Sequence, residues 1–195
     1  MAQLTANITS ASPVATGGIL MGPLGTAYPT DASTALNAAI KPLGYAGREG
    51  LRPAGAAPSF NNIFAWGGDL VAAPMESRGT TEFEFDLLEV MNPEVAKLVF
   101  GAANVTVTPA TTTAGTTISV QDTNWVIPRM VAVFDMLYGA KKLRFVAPNV
   151  QLVKTAEAAY VDNNIGFYTM RATAFKDAAG VSLYRYYVND DKLPV

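Results

Sequence analysis

Apolar and polar positions alternate most sharply in Thr80-Thr81-Glu82-Phe83-Glu84-Phe85-Asp86-Leu87. Successive side chains of a strand point to opposite faces. Phe83, Phe85 and Leu87 therefore form a core face, and Glu82, Glu84 and Asp86 share the other. Three like charges on one face repel each other unless water or a partner lies opposite. The acidic face is expected on solvent, or on a wet surface that stays negative. A helix follows directly. Asn92 is placed to cap it, Pro93 suits its first position, and Glu94 suits the positive end of its dipole. Val95, Leu98 and Val99 fall on one face, and Gly101 ends the element. So short a helix needs tertiary packing to persist.

Further along, the pattern is that of strands and turns. Asn104 to Thr108 and Ile118 to Val120 read as a hairpin around a Thr-rich tip at 109–117. Ile127 to Tyr138 is a long apolar run interrupted by Asp135, and Gly139-Ala140-Lys141 suggests a turn. Lys142 to Ala147 and Val150 to Thr155 read as strands separated by Pro148-Asn149. Ile165 to Phe175, the turn Asp177-Ala178-Ala179-Gly180, and Val181 to Val188 complete the series. Upstream, Ala65 to Met75 reads as a strand irregular at Gly67-Gly68, with Glu76-Ser77-Arg78-Gly79 as a hairpin turn. The sum is roughly eight to ten strands and one or two helices, with no internal repeat. It predicts a mainly β, antiparallel sandwich or barrel with one short flanking α-helix.

Two stretches are less regular. Residues 1–35 are rich in Gly, Pro, Ala and Thr but keep Val14, Ile19, Leu20, Met21 and Leu24. They read as an N-terminal arm lying along a surface. Asp31 to Ile40 suggests a turn or two of helix, stopped by Pro42. Residues 42–68 form a long loop, a kind of segment that is usually functional or disordered. Leaving Tyr45, Leu51, Phe60, Ile63, Phe64 and Trp66 in water costs roughly 1.5–3 kcal/mol per large apolar side chain. The loop is therefore expected to dock, on its own core or on a neighbour.

Composition narrows the function classes. A chain of 195 residues, half hydrophobic and 15% charged, suits a single domain spanning 1–195 and excludes disorder along its length. Net charge is −2, which favours neither nucleic acid nor membrane. Acidic residues cluster between Glu76 and Glu94, while the second half leans positive through Arg129, Lys141, Lys142, Arg144 and others. Such a subunit can meet its own copies head to tail; equally, these are two solvated faces of a monomer. The chain has no Cys and no His, which excludes thiolate or imidazole zinc sites, Ser-His-Asp and Cys-His catalysis, and disulfides. No EF-hand loop appears, so no metal or cofactor is expected. No apolar run reaches the ~20 residues of a membrane span, and no signal peptide is read. The sequons at Asn7 and Asn104 are read as chance.

Enzyme readings are weak. Same-face carboxylates suit glycoside hydrolysis, but that chemistry needs a raised pKa in an aromatic-lined groove, and nothing in the sequence marks one. Gly44-Tyr45-Ala46-Gly47-Arg48-Glu49-Gly50 lacks the Lys-Ser/Thr pair and the strand–helix context of a phosphate loop. No catalytic residue is assigned.

The order of features resembles the major tail protein, or tail tube subunit, of long non-contractile-tailed bacteriophages (siphophages), particularly those of actinobacteria. The likeness is carried by Thr26-Ala27-Tyr28-Pro29-Thr30-Asp31 at the end of the arm and Leu43-Gly44-Tyr45-Ala46-Gly47-Arg48-Glu49-Gly50-Leu51 opening the loop. It continues in Ile63-Phe64-Ala65-Trp66-Gly67-Gly68-Asp69-Leu70-Val71, the strand and helix from Glu82 to Gly101, Arg144-Phe145-Val146-Ala147-Pro148-Asn149-Val150, and the closing strand–turn–strand. The helical-looking segment before Lys41 is not part of the family pattern.

The resemblance implies an antiparallel β fold of the tail tube type and six-fold rings stacked into a tube. Hairpins of each subunit join edge to edge around the lumen. It further implies a structural virion protein of the tail, assembled in the host cytoplasm and without enzymatic activity. The partners implied are further copies of itself, the tape-measure protein, the tail terminator and the distal tail protein, with DNA in transient, non-specific passage and no membrane. Basic side chains would hold DNA through counterion release, so a conduit is better lined by carboxylates. Glu82, Glu84 and Asp86 are the candidate lumen residues; the other reading is a solvent face on the outer wall. Tyr45, Arg48, Leu51, Phe60, Ile63 and Phe64 are the candidate contacts between rings; the other reading is a lid over the subunit's own core. Both termini, including Asn189 to Val195, are candidates to bridge subunits. Rival classes are a carbohydrate- or host-binding β-sandwich module, which needs an exposed aromatic platform, and the tube protein of a contractile injection or secretion system. A virion decoration protein would have no use for the long loop.

Overall fold

The computed structural model describes residues 7–15, 17–158 and 160–191. Residues 1–6 of the expected arm and residues 192–195 of the C-terminal stretch lie outside the described residues. In chain order the strands are β1 (Ser12–Pro13), β2 (Ile19–Pro23), β3 (Lys41–Pro42), β4 (Arg52–Pro53), β5 (Ser59–Phe60), β6 (Ile63–Phe64), β7 (Leu70–Ala72), β8 (Met75–Ser77) and β9 (Thr81–Leu87). After helix α1 (Pro93–Phe100) come β10 (Val105–Thr108), β11 (Thr117–Val120), β12 (Met130–Tyr138), β13 (Lys141–Glu157), β14 (Tyr168–Ala174) and β15 (Tyr184–Val188). Nine of these strands form one antiparallel sheet, in the order β3-β2-β12-β13-β14-β9-β4, with β1 on β12 and β15 on β13. The expected fold class holds: mainly β, antiparallel, with one short helix.

The long strand β13 organises the sheet. Its first half lies between β12 and β15, and from Val150 onward its partner is β14. Pro148 does not end the strand, as the sequence reading expects. A register shift in the β12 pairing absorbs it, which is where a residue without an N–H is tolerated. The Phe175 N–H reaches the Asn149 carbonyl at 2.8 Å and carries the ladder across the irregularity. The sheet then rolls toward closure. Leu43 N–H bonds to the Ile19 carbonyl on β2, while Gly47 and Ala54 N–H bond to the carbonyls of Asp86 and Glu82 on β9. Residues 41–54 thus bridge the two borders of the sheet.

The main core fills the inside of this roll. The apolar face of β9 supplies Phe83, Phe85 and Leu87, which meet Phe134 of β12, Leu152 of β13 and Met170 of β14. Phe134 lies 5.5 Å from Phe83 and 6.1 Å from Phe85, ring centre to ring centre. Helix α1 closes one end with Val95 and Val99. It is capped as its sequence predicts: the Asn92 side chain accepts from the Glu94 N–H, and Gly101 leaves the helix at φ +89°. The bare Gly101 lets the Trp125 indole lie against it, since a Cβ there would sit 2.7 Å from the ring.

The sheet also buries part of its outer face. Leu20, Val131, Val133 and Val146 form a second apolar layer, covered by Tyr28, Leu36 and Ile40 from residues 24–40 and by Tyr184 and Tyr186. These residues form a strap. It contains turns where a helix is expected from Asp31 to Ile40, because Asp31 turns its carboxylate back on the chain. It accepts from Ser33 N–H at 2.5 Å, Thr34 N–H at 2.6 Å and the Thr34 hydroxyl, a local alternative to helical bonding. Beneath the strap, Arg144 binds Asp135 through two hydrogen bonds, 2.5 and 2.8 Å, and donates to the carbonyls of Asp31 and Thr34 at 3.2 and 2.7 Å.

The hairpin before β9 turns elsewhere than the sequence reading expects. Gly67 and Gly68, at φ +110° and +97°, form its tip, and the Ala65 N–H closes on the Asp69 carbonyl at 2.8 Å. Two glycines are what a turn needing positive φ requires. The chain returns through β7 and β8, and Arg78-Gly79 links the base of the hairpin to β9.

Candidate functional site

Two surfaces emerge from this frame. The first is the outer face of β9, which lies between β4 and β14. Cross-strand register places Glu84 opposite both Arg52 and Arg171, Asp86 opposite Thr169, and Glu82 opposite Thr173. Arg171 grips Glu84 Oε1 through Nε and Nη2 at 3.0 and 2.5 Å. Arg52 reaches diagonally, two residues along β9, and binds both oxygens of Asp86 at 3.0 and 3.3 Å, where the Thr169 hydroxyl also donates at 2.8 Å. Glu82 forms no ion pair among the described residues. The face is a ladder of alternating charge with one carboxylate in excess, and cross-strand pairing of this kind relieves the repulsion expected of three carboxylates in a row.

This arrangement does not suit acid catalysis. Burial pushes the Asp86 carboxyl up, but the hydrogen bonds from Arg52 and Thr169 and the Arg52 charge outweigh it and hold the group below its ordinary value. A general acid needs the opposite shift. Two other aspartates are lowered as well. The Val181 N–H and the Tyr184 hydroxyl lower Asp177, and hydrogen bonds from Thr34 and Ser33 bring Asp31 to about 2. A carboxyl with a folded pKa below its unfolded one stabilises the fold above the ordinary value of 3.8 and loses that contribution as pH falls through the folded value. The melting temperature is therefore expected to hold steady down to pH 3.8 and to fall between there and about 2. Asp31→Asn should flatten part of this acid limb in a thermal scan without steepening the neutral region.

The second surface is a ribbon spanning residues 59–77. Its rungs are β5 with β8 and β6 with β7, and Asn61 N–H bonds to the Pro74 carbonyl at 2.9 Å. Thr80 fastens the base, its N–H donating to the Ala56 carbonyl and its hydroxyl accepting from the Ala56 N–H, both at 3.0 Å. Beyond that clasp the ribbon stands away from the sheet. Phe60, Phe64, Leu70, Val71 and Met75 are more than half exposed, and Trp66 is fully exposed. Apolar side chains gathered in this way on an exposed surface mark an interaction site.

Of the residues singled out in the sequence, Phe60, Ile63 and Phe64 lie on the ribbon. Tyr45 and Arg48 are exposed on the bridging segment 41–54, where the Tyr45 N–H is held by Glu89 at 2.8 Å. Leu51 is half-buried against the main core. The sequence reading places Leu70, Val71 and Met75 in a single strand, Ala65 to Met75, ahead of a later turn, and does not include them among the contacts. The paired glycines at 67–68 were the signal for a return strand.

A rolled antiparallel body with an apolar ribbon projecting from it defines a structural β protein that associates through its surfaces. The chain belongs to the phage tail tube protein family, whose family model matches residues 5–195. No curated protein matches the chain. Membership makes it a structural component of the virion tail, which self-assembles into a tube and meets other tail proteins. Among the described residues no helix is long and apolar enough to cross a membrane.

Proposed function

We propose that this chain builds the tube of a long non-contractile phage tail as six-membered rings stacked on one another, and that the tube conducts the genome into the host cell. The observation that carries this reading is the ribbon at 59–77, whose apolar side chains are left exposed among the described residues. The ribbon provides the contact between rings; Tyr45 and Arg48, exposed at the end of β9 away from the ribbon's base, offer a second one, and Leu51 is half-buried against the main core. Assembly proceeds in the host cytoplasm around a tape-measure protein, and a terminator and a distal tail protein complete the ends. The protein performs no catalysis.

The outer face of β9 is assigned to the lumen. Its two arginines are committed to Glu84 and Asp86, which leaves Glu82 as the uncompensated charge facing DNA. Paired arginines are poorly placed to hold phosphate, and an excess carboxylate repels it. The test is electron microscopy of the purified protein together with Glu82→Lys phage. Tubes with a six-fold ring and, for the variant, intact tails with reduced DNA delivery are expected. Uniform monomers would overturn the tube reading, and intact variant tails with unchanged delivery would overturn the lumen assignment.

A further inference from the structure

We infer that the ribbon of one copy seats in the groove beside Trp125 of another copy and extends the open edge of β13. The inference rests on the self-assembly reading and identifies the surface that receives the ribbon.

The groove follows from the topology. β12 begins at Met130, opposite Val150, yet β13 runs on to Glu157. Among the described residues, the paired neighbour of β13 beyond Val150 is β14, on one edge alone. Alternate residues of an antiparallel strand turn their backbone groups to opposite edges. The Asn149 carbonyl accepts from Phe175, on the β14 side. Leu152 and Lys154 therefore turn their N–H and C=O groups to the other edge, where the Gln151 amide reaches the Leu152 carbonyl at 3.4 Å. A groove of about 420 Å³ runs along this edge, lined by Phe100, Trp125, Val126, Leu152 and Val153. Trp125 and Val126 are 43% and 77% exposed, and Gly101 supports the indole from behind.

Ribbon and groove match in two respects. Both are apolar. The groove offers open backbone groups along one strand edge, and the ribbon is itself two-stranded, with edges that carry the same groups. The two surfaces are also distinct patches of one chain. Their contact is heterologous and repeats from copy to copy, as growth of a tube requires.

The chain has no cysteine, so introduced thiols report one contact. Purified Phe64→Cys chain is mixed with Val126→Cys chain under assembly conditions and oxidised gently. Both positions are exposed, so the folds are retained, which far-ultraviolet circular dichroism checks. Covalent heterodimers are expected at more than about tenfold the yield of a Phe64→Cys and Tyr138→Cys mixture, because docking raises the effective concentration of the thiols. Ile63→Cys and Leu70→Cys serve as second ribbon positions. Tubes that form without cross-links above the Tyr138 control at all three ribbon positions would overturn the groove as receiver while leaving self-assembly standing. A wild-type chain that stays monomeric by light scattering would overturn both.

Discussion

Arg144→Met is expected to destabilise the subunit by about 3–5 kcal/mol, the range for breaking one partner of a buried ion pair. Arg144 and Asp135 face each other across β12 and β13, and their side chains are 8% and 12% exposed. The guanidinium satisfies both carboxylate oxygens and two strap carbonyls at once. Methionine fills the volume but leaves a buried carboxylate without its counter-charge and two carbonyls without a donor. Asp135→Leu combined with Arg144→Met should recover much of the loss, since the double variant strands no charge. What remains is the cost of the strap carbonyls, about 1–3 kcal/mol. Urea unfolding of the parent, Arg144→Met, Asp135→Leu and the double variant gives the coupling directly. A loss below about 1 kcal/mol for Arg144→Met would mean that water reaches the pair and that it behaves as a surface ion pair. Limited proteolysis should show cleavage within residues 24–40 rising in Arg144→Met ahead of cleavage elsewhere, because the strap loses the guanidinium that holds two of its carbonyls to the sheet.

The features legible in the sequence are those set by near neighbours. The alternation in β9, the cap and stop of α1, the hairpin of β10 and β11, and the turn at Asp177 all depend on residues within a few positions of one another. What escaped reading depends on distant ones. The acidic face of β9 reads as bare negative charge until Arg52 and Arg171, 34 and 87 residues from their partners, are brought beside it by β4 and β14. Asp135 reads as an interruption in an apolar run; in the fold it is half of the pair that fastens the strap. The segment from Asp31 to Ile40 has helical composition, but the Asp31 carboxylate takes up the N–H groups of Ser33 and Thr34, and Arg144 takes the carbonyls of Asp31 and Thr34. Pro148 is a break in local terms and a bulge in tertiary terms, because β12 and β14 hold the strand on both sides of it. Between Ala65 and Gly79 two turn signals compete. Gly67-Gly68 prevails because pairing of β5 with β8 and β6 with β7 places the two apolar halves side by side.

Replacing Phe60 through Glu76 by a short Gly-Ser turn is expected to abolish tube formation while leaving the melting temperature of the subunit within a few degrees of the parent. The ribbon pairs with itself and not with the nine-stranded sheet, and its apolar side chains are exposed. Removing it therefore takes little from the core, and substitutions away from buried features usually change stability by no more than about 0.5 kcal/mol. The clasp between Ala56 and Thr80 remains to hold the shortened turn in register with β9. Assembly is affected far more. Each large apolar side chain that leaves water on docking contributes roughly 1.5–3 kcal/mol before the entropy of association is subtracted, and the ribbon presents several to every neighbour. A tube multiplies that contact along its length, so losing it removes the contribution at every junction at once. Sedimentation velocity should return a single slow species for the shortened chain at concentrations where the parent forms tubes, and circular dichroism should return the spectrum of a folded β protein. Tubes formed by the shortened chain would show that the rings are joined elsewhere. An unfolded product would show that the ribbon belongs to the body, because a surface reserved for neighbouring copies contributes nothing to the fold of a solitary one.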